Sequence, residues 1–226
     1  MAPRPTALIT GAAGGIGRAL VAGFTAAGYA VTGVDRAPGE GIVALDITDT
    51  AAVNAFAAKL DTLSVLVNAA GVIRRPDEYD IDVFAGVIDV NLTGAMRLAT
   101  ACKPALAKAG GAIVNIASVY ATFGAPHAPG YAASKGGIVQ LTKSLAVAWA
   151  KDNIRVNAIA PGWIVTPLSA NARTDPARNA AILARTPMAR WGDPEELVGP
   201  ALFLAGDAAR FVTGVVLPVD GGYAAM

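Results

Sequence analysis

Charge is scarce in this chain. Of its 226 residues only 15% are Asp, Glu, Lys or Arg, and they cancel to a formal net charge of +1. A nucleic-acid-binding protein needs a basic stripe to meet phosphates, and none is present. A disordered chain needs low hydrophobicity, whereas 54% of these residues are hydrophobic. Cysteine and histidine occur once each, as Cys102 and His127. A lone cysteine closes no internal disulfide and has no neighbours for a metal site, so Cys102 reads as a packing residue in a reduced compartment and no metal is expected. Aromatics are also few, with three Trp and six Phe, which leaves the core to Ala, Val, Leu and Ile. No window holds 18 uninterrupted apolar residues, and the opening "MAPRPTALITGAAGG" lacks the charged region and long apolar run of a secretory leader. The expectation is a cytoplasmic protein whose length suits one domain over 1–226. Little charge beside so much small apolar side chain also suggests faces that pair with other copies.

What is abundant is alternation. Short apolar runs read as strands at 6–10, 30–35, 41–46, 64–71, 111–118, 154–162 and 214–222. Between most of them lie helical stretches, at 17–28, 50–60, 131–150 and 194–205, with Thr48 or Asp49 as the cap of the second and Pro194 in the first turn of the last. A helix of unusual length is expected within 81–108, bent or ended by Pro104. The strands are rich in Val, Ile, Leu and Ala without strict alternation, as strands covered on both faces are. Crossovers of ten or more residues imply parallel pairing. The reading is an α/β protein, a doubly wound Rossmann domain of about seven parallel strands with helices on both faces. Two stretches break the pattern. "RAPGE" between the second and third strands is too short for a crossover helix, and 163–193 reads as an irregular insertion near the strand ends that shapes a substrate site.

"TGAAGGIG" (10–17) follows the first strand and opens the first helix. Glycines at 11, 15 and 17 allow a sharp turn and a close approach to pyrophosphate, which a helix N-terminus stabilises, and Ile16 sits among them. Asp35 ends the second strand, where a carboxylate accepts both ribose hydroxyls of an adenosine and repels the extra phosphate of NADP. Arg36 beside it works the other way, because guanidinium binds phosphate. The balance favours NAD. Asp46, next to Ile47, either accepts from the adenine amino group or serves as a cap near the following helix.

Ser118 ends a strand, and Tyr131 and Lys135 lie four apart on the first turns of the next helix. Strand C-termini of an open parallel sheet bind ligands. Residues i and i+4 share a helix face, so the ammonium stands beside the phenol and favours phenolate. That pairing makes an acid/base. A structural alternative is an N-terminal aromatic with a snorkelling surface lysine.

"TGAAGGIG", "NAAG" (68–71), Asn91 in "DVNLTG", Ser118, "YAASK" (131–135) and "APG" (160–162) occur in this order. Over essentially its whole length the chain resembles the classical short-chain dehydrogenase/reductase family. The resemblance implies Tyr131 as general acid/base and Ser118 as donor to the reacting oxygen. It further implies that Lys135 lowers the Tyr131 pKa and holds the nicotinamide ribose, while Asn91 holds a water in a proton relay. Asn68, Ala69, Ala70 and Gly71 would lie along the adenosine, and Pro161, Gly162, Ile164 and Thr166 around the nicotinamide. Commonly such chains form a homotetramer. Ser118 and Tyr131 can polarise one oxygen together. Asn91 is a poor residue for a helix interior, so a relay role or a local bend accounts for it.

"NAAGVIRR" (68–75) and "ILARTPMARWGDPEELVGPALFLA" (182–205) resemble the branch of 2-dehydro-3-deoxy-D-gluconate 5-dehydrogenases, which work on a secondary hydroxyl of a sugar acid. A sugar acid calls for a guanidinium. The candidates are Arg74, Arg75, Arg173, Arg178, Arg185 and Arg190. By topology Arg185 and Arg190 are the better placed, with Arg74 and Arg75 carried outward by the long helix and His127 as a neutral donor. Tyr120, Trp163 and Met188 suggest instead an apolar pocket for a cyclic, aromatic or other apolar alcohol, and other polyols or hydroxy acids remain open. Among rivals on this fold, halohydrin dehalogenases exchange the lysine for arginine and lose the glycines. Enoyl-thioester reductases place six residues between Tyr and Lys, where this chain has three. A silent regulator or scaffold has no reason to keep every reacting residue.

Overall fold

The computed structural model describes residues 4–226; the first three residues of the N-terminal stretch lie outside the described residues. Seven strands form one parallel sheet: β1 (Thr6–Thr10), β2 (Ala30–Asp35), β3 (Ile42–Ala44), β4 (Val65–Asn68), β5 (Ala112–Ile116), β6 (Arg155–Pro161) and β7 (Val216–Val219). Their spatial order is β3-β2-β1-β4-β5-β6-β7, so the direction of winding reverses between β1 and β4. Ligands bind at such a crevice, beyond the carboxyl ends of the strands. Helices α1 (Gly15–Ala26), α2 (Thr50–Ala57), α3 (Ile81–Ile88), α4 (Gly94–Ala109), α5 (Pro129–Trp149), α6 (Ala170–Thr174), α7 (Pro176–Arg185) and α8 (Val198–Ala205) follow in chain order.

Two apolar layers cover the sheet. On one face Leu8, Val34, Leu66 and Ile113 pack with Val53 of α2, Leu98 and Leu106 of α4, and Leu145 and Trp149 of α5. On the other, Ile9, Val67 and Val114 meet Leu20 and Phe24 of α1 and Ala201 and Leu204 of α8. Burial on both faces explains the continuous apolar character of the central strands. Cys102 is fully buried in the first layer, and burial pushes its thiol up to about 12, which fits a packing role. No helix among the described residues is long and apolar enough to cross a membrane.

Several expectations shift. The stretch 81–109 is one helical run with a π-helical turn, Asp89–Thr93, set between α3 and α4. Pro104 lies inside α4 and does not end it, because Leu98, Ala99, Cys102, Ala105 and Leu106 hold the helix to the core on both sides of the proline. Its end comes at Gly110, whose φ of 60° lets its N–H turn back to the Leu106 and Ala107 carbonyls. Asp49, not Thr48, caps α2, its carboxylate accepting from the Ala52 N–H at 3.0 Å. The segment 163–193 is not irregular. Asp175 accepts from the N–H groups of Ala177 and Arg178, and Pro176 occupies the first position of α7, so this segment has its own helix start.

The short link between β2 and β3 carries no helix, yet the two strands pair in parallel, with Gly33 opposite Ile42 and Asp35 opposite Ala44. The chain doubles back through exposed residues 36–41, with Gly41 at φ 68° and the Ile42 N–H donating to Gly39 O at 3.0 Å. β3 is consequently only three residues long and ends before Leu45 and Asp46.

Phe24 is fully buried and meets Tyr29 edge-on at 5.0 Å, so it locks α1 onto the sheet. Phe24→Ala should cost about 3–5 kcal/mol. Denaturant midpoints would measure it, and a loss below about 1 kcal/mol would mean that α1 is held by something else.

Candidate functional site

The site begins where β1 turns into α1. Gly11 has a φ of 68°, and a Cβ there would lie 2.8 Å from Ala70 N. A Cβ on Gly17 would lie 2.0 Å from the Gly11 carbonyl oxygen. Only glycine permits this turn to close against both its own helix and the chain leaving β4. Thr10 completes the junction: its hydroxyl accepts from the N–H groups of Ala69 (3.0 Å) and Ala70 (2.9 Å). The first turn of α1 has no capping side chain and no acidic residue, which leaves its N–H dipoles to an anion from outside.

A cleft of about 560 Å³ opens over this turn, walled by Gly11, Gly15, Ile16, Gly17, Asp35, Arg36, Asp46, Ile47, Ala69, Ala70, Gly71 and Thr166. A dinucleotide fits these residues: an uncapped helix start for pyrophosphate, a carboxylate at the end of β2, and apolar walls from Ile16 and Ile47. Asp35 accepts from Ala13 N at 3.1 Å and Ala37 N at 3.3 Å, one bond per oxygen, which leaves lone pairs for hydroxyls. Arg36 is joined by a second cation that the sequence reading missed. The Arg18 guanidinium, directly after Gly17, reaches back to the Ala13 carbonyl at 3.3 Å. Asp46 accepts from both the hydroxyl and the N–H of Thr48, and those bonds hold its carboxyl below the usual range.

Asn68 departs from expectation. Its side chain turns away from the cleft, donating to Asn115 Oδ1 at 2.9 Å, and Asn115 in turn donates to Thr142 Oγ1 at 2.9 Å. The last residue of β4 thus points into the layer beneath the sheet, because side chains of a strand alternate faces and Val67 already takes the other one.

The second cavity adjoins the first, sharing Ile16, Thr166 and Leu168, and is lined by Ile73, Arg75, Ser118, Tyr120, Tyr131, Pro161, Gly162, Trp163 and Ile164. Ser118 and Tyr131 therefore open onto one space. Lys135 is buried one turn below, and its Nζ donates to the Ile116 carbonyl at 2.6 Å. That bond uses one of the three donors of an ammonium. Burial brings Lys135 down to about 8. Its Nζ lies 5.5 Å from the Tyr131 ring centroid, over the ring. Burial raises the Tyr131 phenol above its ordinary value, while the Ser118 hydroxyl and then the Arg75 charge pull it down.

Asn91 sits in the π-helical turn, a feature frequent at functional sites. Its Oδ1 accepts from Val72 N at 2.8 Å, and its amide donates to Val72 O at 2.9 Å and Ser134 Oγ at 3.0 Å. Both amide hydrogens are engaged, so one lone pair of Oδ1 is what remains for the relay water that the resemblance implies.

The substrate side is where the structure redraws the expectations most. Arg190 is bound bidentately by Glu196, at 2.7 Å from each nitrogen, and faces another cavity. Arg185 is stacked between Phe123 (4.2 Å) and Tyr223 (4.5 Å), away from Ser118. His127 is exposed on the loop before α5 and does not line the cavity. The guanidinium that does line it is Arg75, half-buried, because the chain leaving β4 folds inward before α3 begins. Arg178 of α7 lies near enough to act on it. Neither guanidinium donates a hydrogen bond or forms an ion pair among the described residues. Tyr120 stands edge-on to both Tyr131 (6.2 Å) and Trp163 (5.7 Å) and forms the aromatic wall. Glu78, the buried carboxylate against this site, gave no sequence signal at all.

A family model described as enoyl-(acyl carrier protein) reductase matches residues 11–224. The chain is 40% identical over 240 residues to a 2-dehydro-3-deoxy-D-gluconate 5-dehydrogenase of Pseudoalteromonas atlantica, covering 96% of this chain and 94% of that one. It is 39% identical over 239 residues to an L-tagatose-forming galactitol 2-dehydrogenase of Cereibacter sphaeroides, covering 96% and 94%. Among solved structures, a putative NAD(P)-dependent gluconate 5-dehydrogenase from Beutenbergia cavernae, with NADP bound at low occupancy, superposes with a TM-score of 0.92 at 39% identity, covering 98% of this chain and 97% of that one.

Two measurements probe this geometry. Gly17→Ala should abolish dinucleotide binding in calorimetry or fluorescence titration, since the added methyl enters the turn itself; near-native affinity would contradict the fit. In the free protein, phenolate absorbance of wild type minus Tyr131→Phe should show no step below about pH 10. A step near neutrality would show that burial does not govern this phenol.

Proposed function

Since the chain belongs to the short-chain dehydrogenase/reductase family and is an NAD(P)-dependent oxidoreductase of secondary alcohols and ketones, we propose that its substrate is a sugar acid or a similar hydroxy acid, with NAD as the preferred cofactor. The relatives include both an acid and a neutral polyol dehydrogenase by name, so the chain's own residues must decide. The observation that carries the reading is Arg75. A half-buried guanidinium without a carboxylate partner shares one cavity with Ser118 and Tyr131. Burial lowers its pKa and Arg178 adds to that, while Tyr120, Tyr131 and Glu78, the last too far for an ion pair, oppose it; a carboxylate in direct contact would complete the compensation.

In this reading the bound nicotinamide supplies the hydride acceptor or donor. With the positive charge of an oxidised nicotinamide and the Lys135 ammonium beside it, Tyr131 would act as phenolate and take the hydroxyl proton during oxidation, returning it during reduction, and Ser118 donates to the same oxygen. Lys135 offers its two remaining N–H groups to the ribose. Arg75 fixes the far end of the substrate, and Thr166, Leu168 and Ser169, just before α6, carry part of the wall. Asn91 acts by holding Val72 and Ser134. Asp35 favours NAD, with Arg36 and Arg18 flanking it. The exposed apolar residues Met96 on α4, Val147 on α5 and Phe203 on α8 support assembly into a homotetramer, which light scattering would test. A cytoplasmic location is in keeping with the free thiol of Cys102.

A second reading, an apolar or cyclic secondary alcohol, is favoured by the wall of Ile73, Tyr120, Trp163 and Leu168. Arg75→Met separates the two. A charged hydrogen bond contributes roughly 1.5–3 kcal/mol, so KM for an acid should rise about 10- to 150-fold while a matched methyl ester is barely affected. Equal effects on both, or none, would favour the apolar alcohol. For the cofactor, kcat/KM with NAD should exceed that with NADP by at least about tenfold, a difference of roughly 1.4 kcal/mol, and Asp35→Ala should narrow the gap. Comparable values in wild type would mean that Arg18 and Arg36 dominate.

A further inference from the structure

Helix α5 starts without a cap of its own. Ala128 precedes it and offers no side-chain bond, and Pro129 takes its first position. The N–H of Tyr131, at the third position, is nonetheless satisfied by a side chain from elsewhere in the chain. Glu78 Oε2 accepts it at 2.7 Å, while Oε1 accepts from Arg74 N, also at 2.7 Å. Glu78 is 1% exposed and forms no ion pair among the described residues. A buried carboxylate is costly, and what offsets the cost here is a pair of charge-assisted bonds, the positive end of a 21-residue helix and the nearby Arg75 charge. Gly130 makes room for it: a Cβ there would come within 3.3 Å of Glu78 Oε2.

The two groups that Glu78 holds belong to the two halves of the reaction. One is the backbone of Tyr131 itself. The other is the residue next to Arg75. We propose that Glu78 is a positioning residue that sets Tyr131 and the Arg75 loop in one frame, so that the held end of the substrate and its reacting oxygen arrive in register. The Arg75 part rests on the acid-substrate reading above; the Tyr131 part does not.

Glu78→Gln is close in shape but can accept only one of the two N–H groups, its amide nitrogen opposing the other. In the wild-type background it should lower kcat about 10- to 100-fold, with dinucleotide affinity near native and the melting temperature down by several degrees. Introduced into Tyr131→Phe, it should cost almost nothing further, because the hydroxyl it aligns is already gone. A residue that only supports the fold would cost the same in both backgrounds, and that result overturns the proposal, as does an unchanged kcat. Should the Gln variant fold poorly, Gly130→Ala provides the second route. Its methyl crowds Phe84 and the carboxylate, at 3.2 and 3.3 Å, and shifts Glu78 by a few tenths of an ångström without removing the charge, so it should give a smaller kcat loss with the same dependence on Tyr131. Comparing an acid with its methyl ester then separates the two readings. If Glu78→Gln shows the Tyr131 dependence but raises KM equally for both substrates, the acid reading fails and the alignment of Tyr131 stands.

Discussion

A single buried charge between a helix and a strand end organises the reacting half of this molecule. The Lys135 ammonium donates to the Ile116 carbonyl where β5 stops. Ser118 lies two residues beyond that carbonyl, and Tyr131 one helical turn before that lysine. Fixing the one contact fixes how α5 sits along β5, and so brings a hydroxyl and a phenol from different elements to one cavity. Burial disfavours the ammonium and brings it down to about 8, and the Ile116 carbonyl satisfies one of its three donors.

Much of this was legible beforehand because it is local. The glycine turn, the strand runs and the Tyr131–Lys135 spacing each depend on residues a few positions apart, and the parallel order follows from crossover length. Side-chain destinations were less legible. Asn68 lies at the right strand end but on the wrong face of the pleat, and a one-residue difference in phase decides that. Arg190 finds Glu196 six residues away, and Arg185 finds two rings from distant segments, so neither is free for a ligand. Arg75 is oriented by a loop whose path is set by bonds from Asn91 to Val72 and from Glu78 to Arg74, pairs 19 and 4 residues apart that composition gives no reason to link.

The segment before α3 deserves the weight that motif reading gave to the insertion at 163–193. It is stitched to α5 twice, through Asn91 and Ser134 on one side and Glu78 on the other. Both linkages end on the main chain of Tyr131, at its N–H through Glu78 and at its carbonyl through Ser134. Tyr131 is thereby held by its backbone as well as by its ring, which is how a site can gain geometric precision beyond what side-chain packing supplies.

The helix-free link between β2 and β3 has a consequence for how such a protein can change. Residues 36–41 are exposed and bury no apolar side chain, yet they include Arg36 and follow Asp35, both of which line the cleft. Elsewhere in the sheet a crossover helix both covers the core and borders the ligand, so altering one role disturbs the other. Here the two roles are uncoupled. The loop can lengthen, shorten or change its charge without opening the interior, and a change of dinucleotide preference can proceed at this corner while the two apolar layers are left alone.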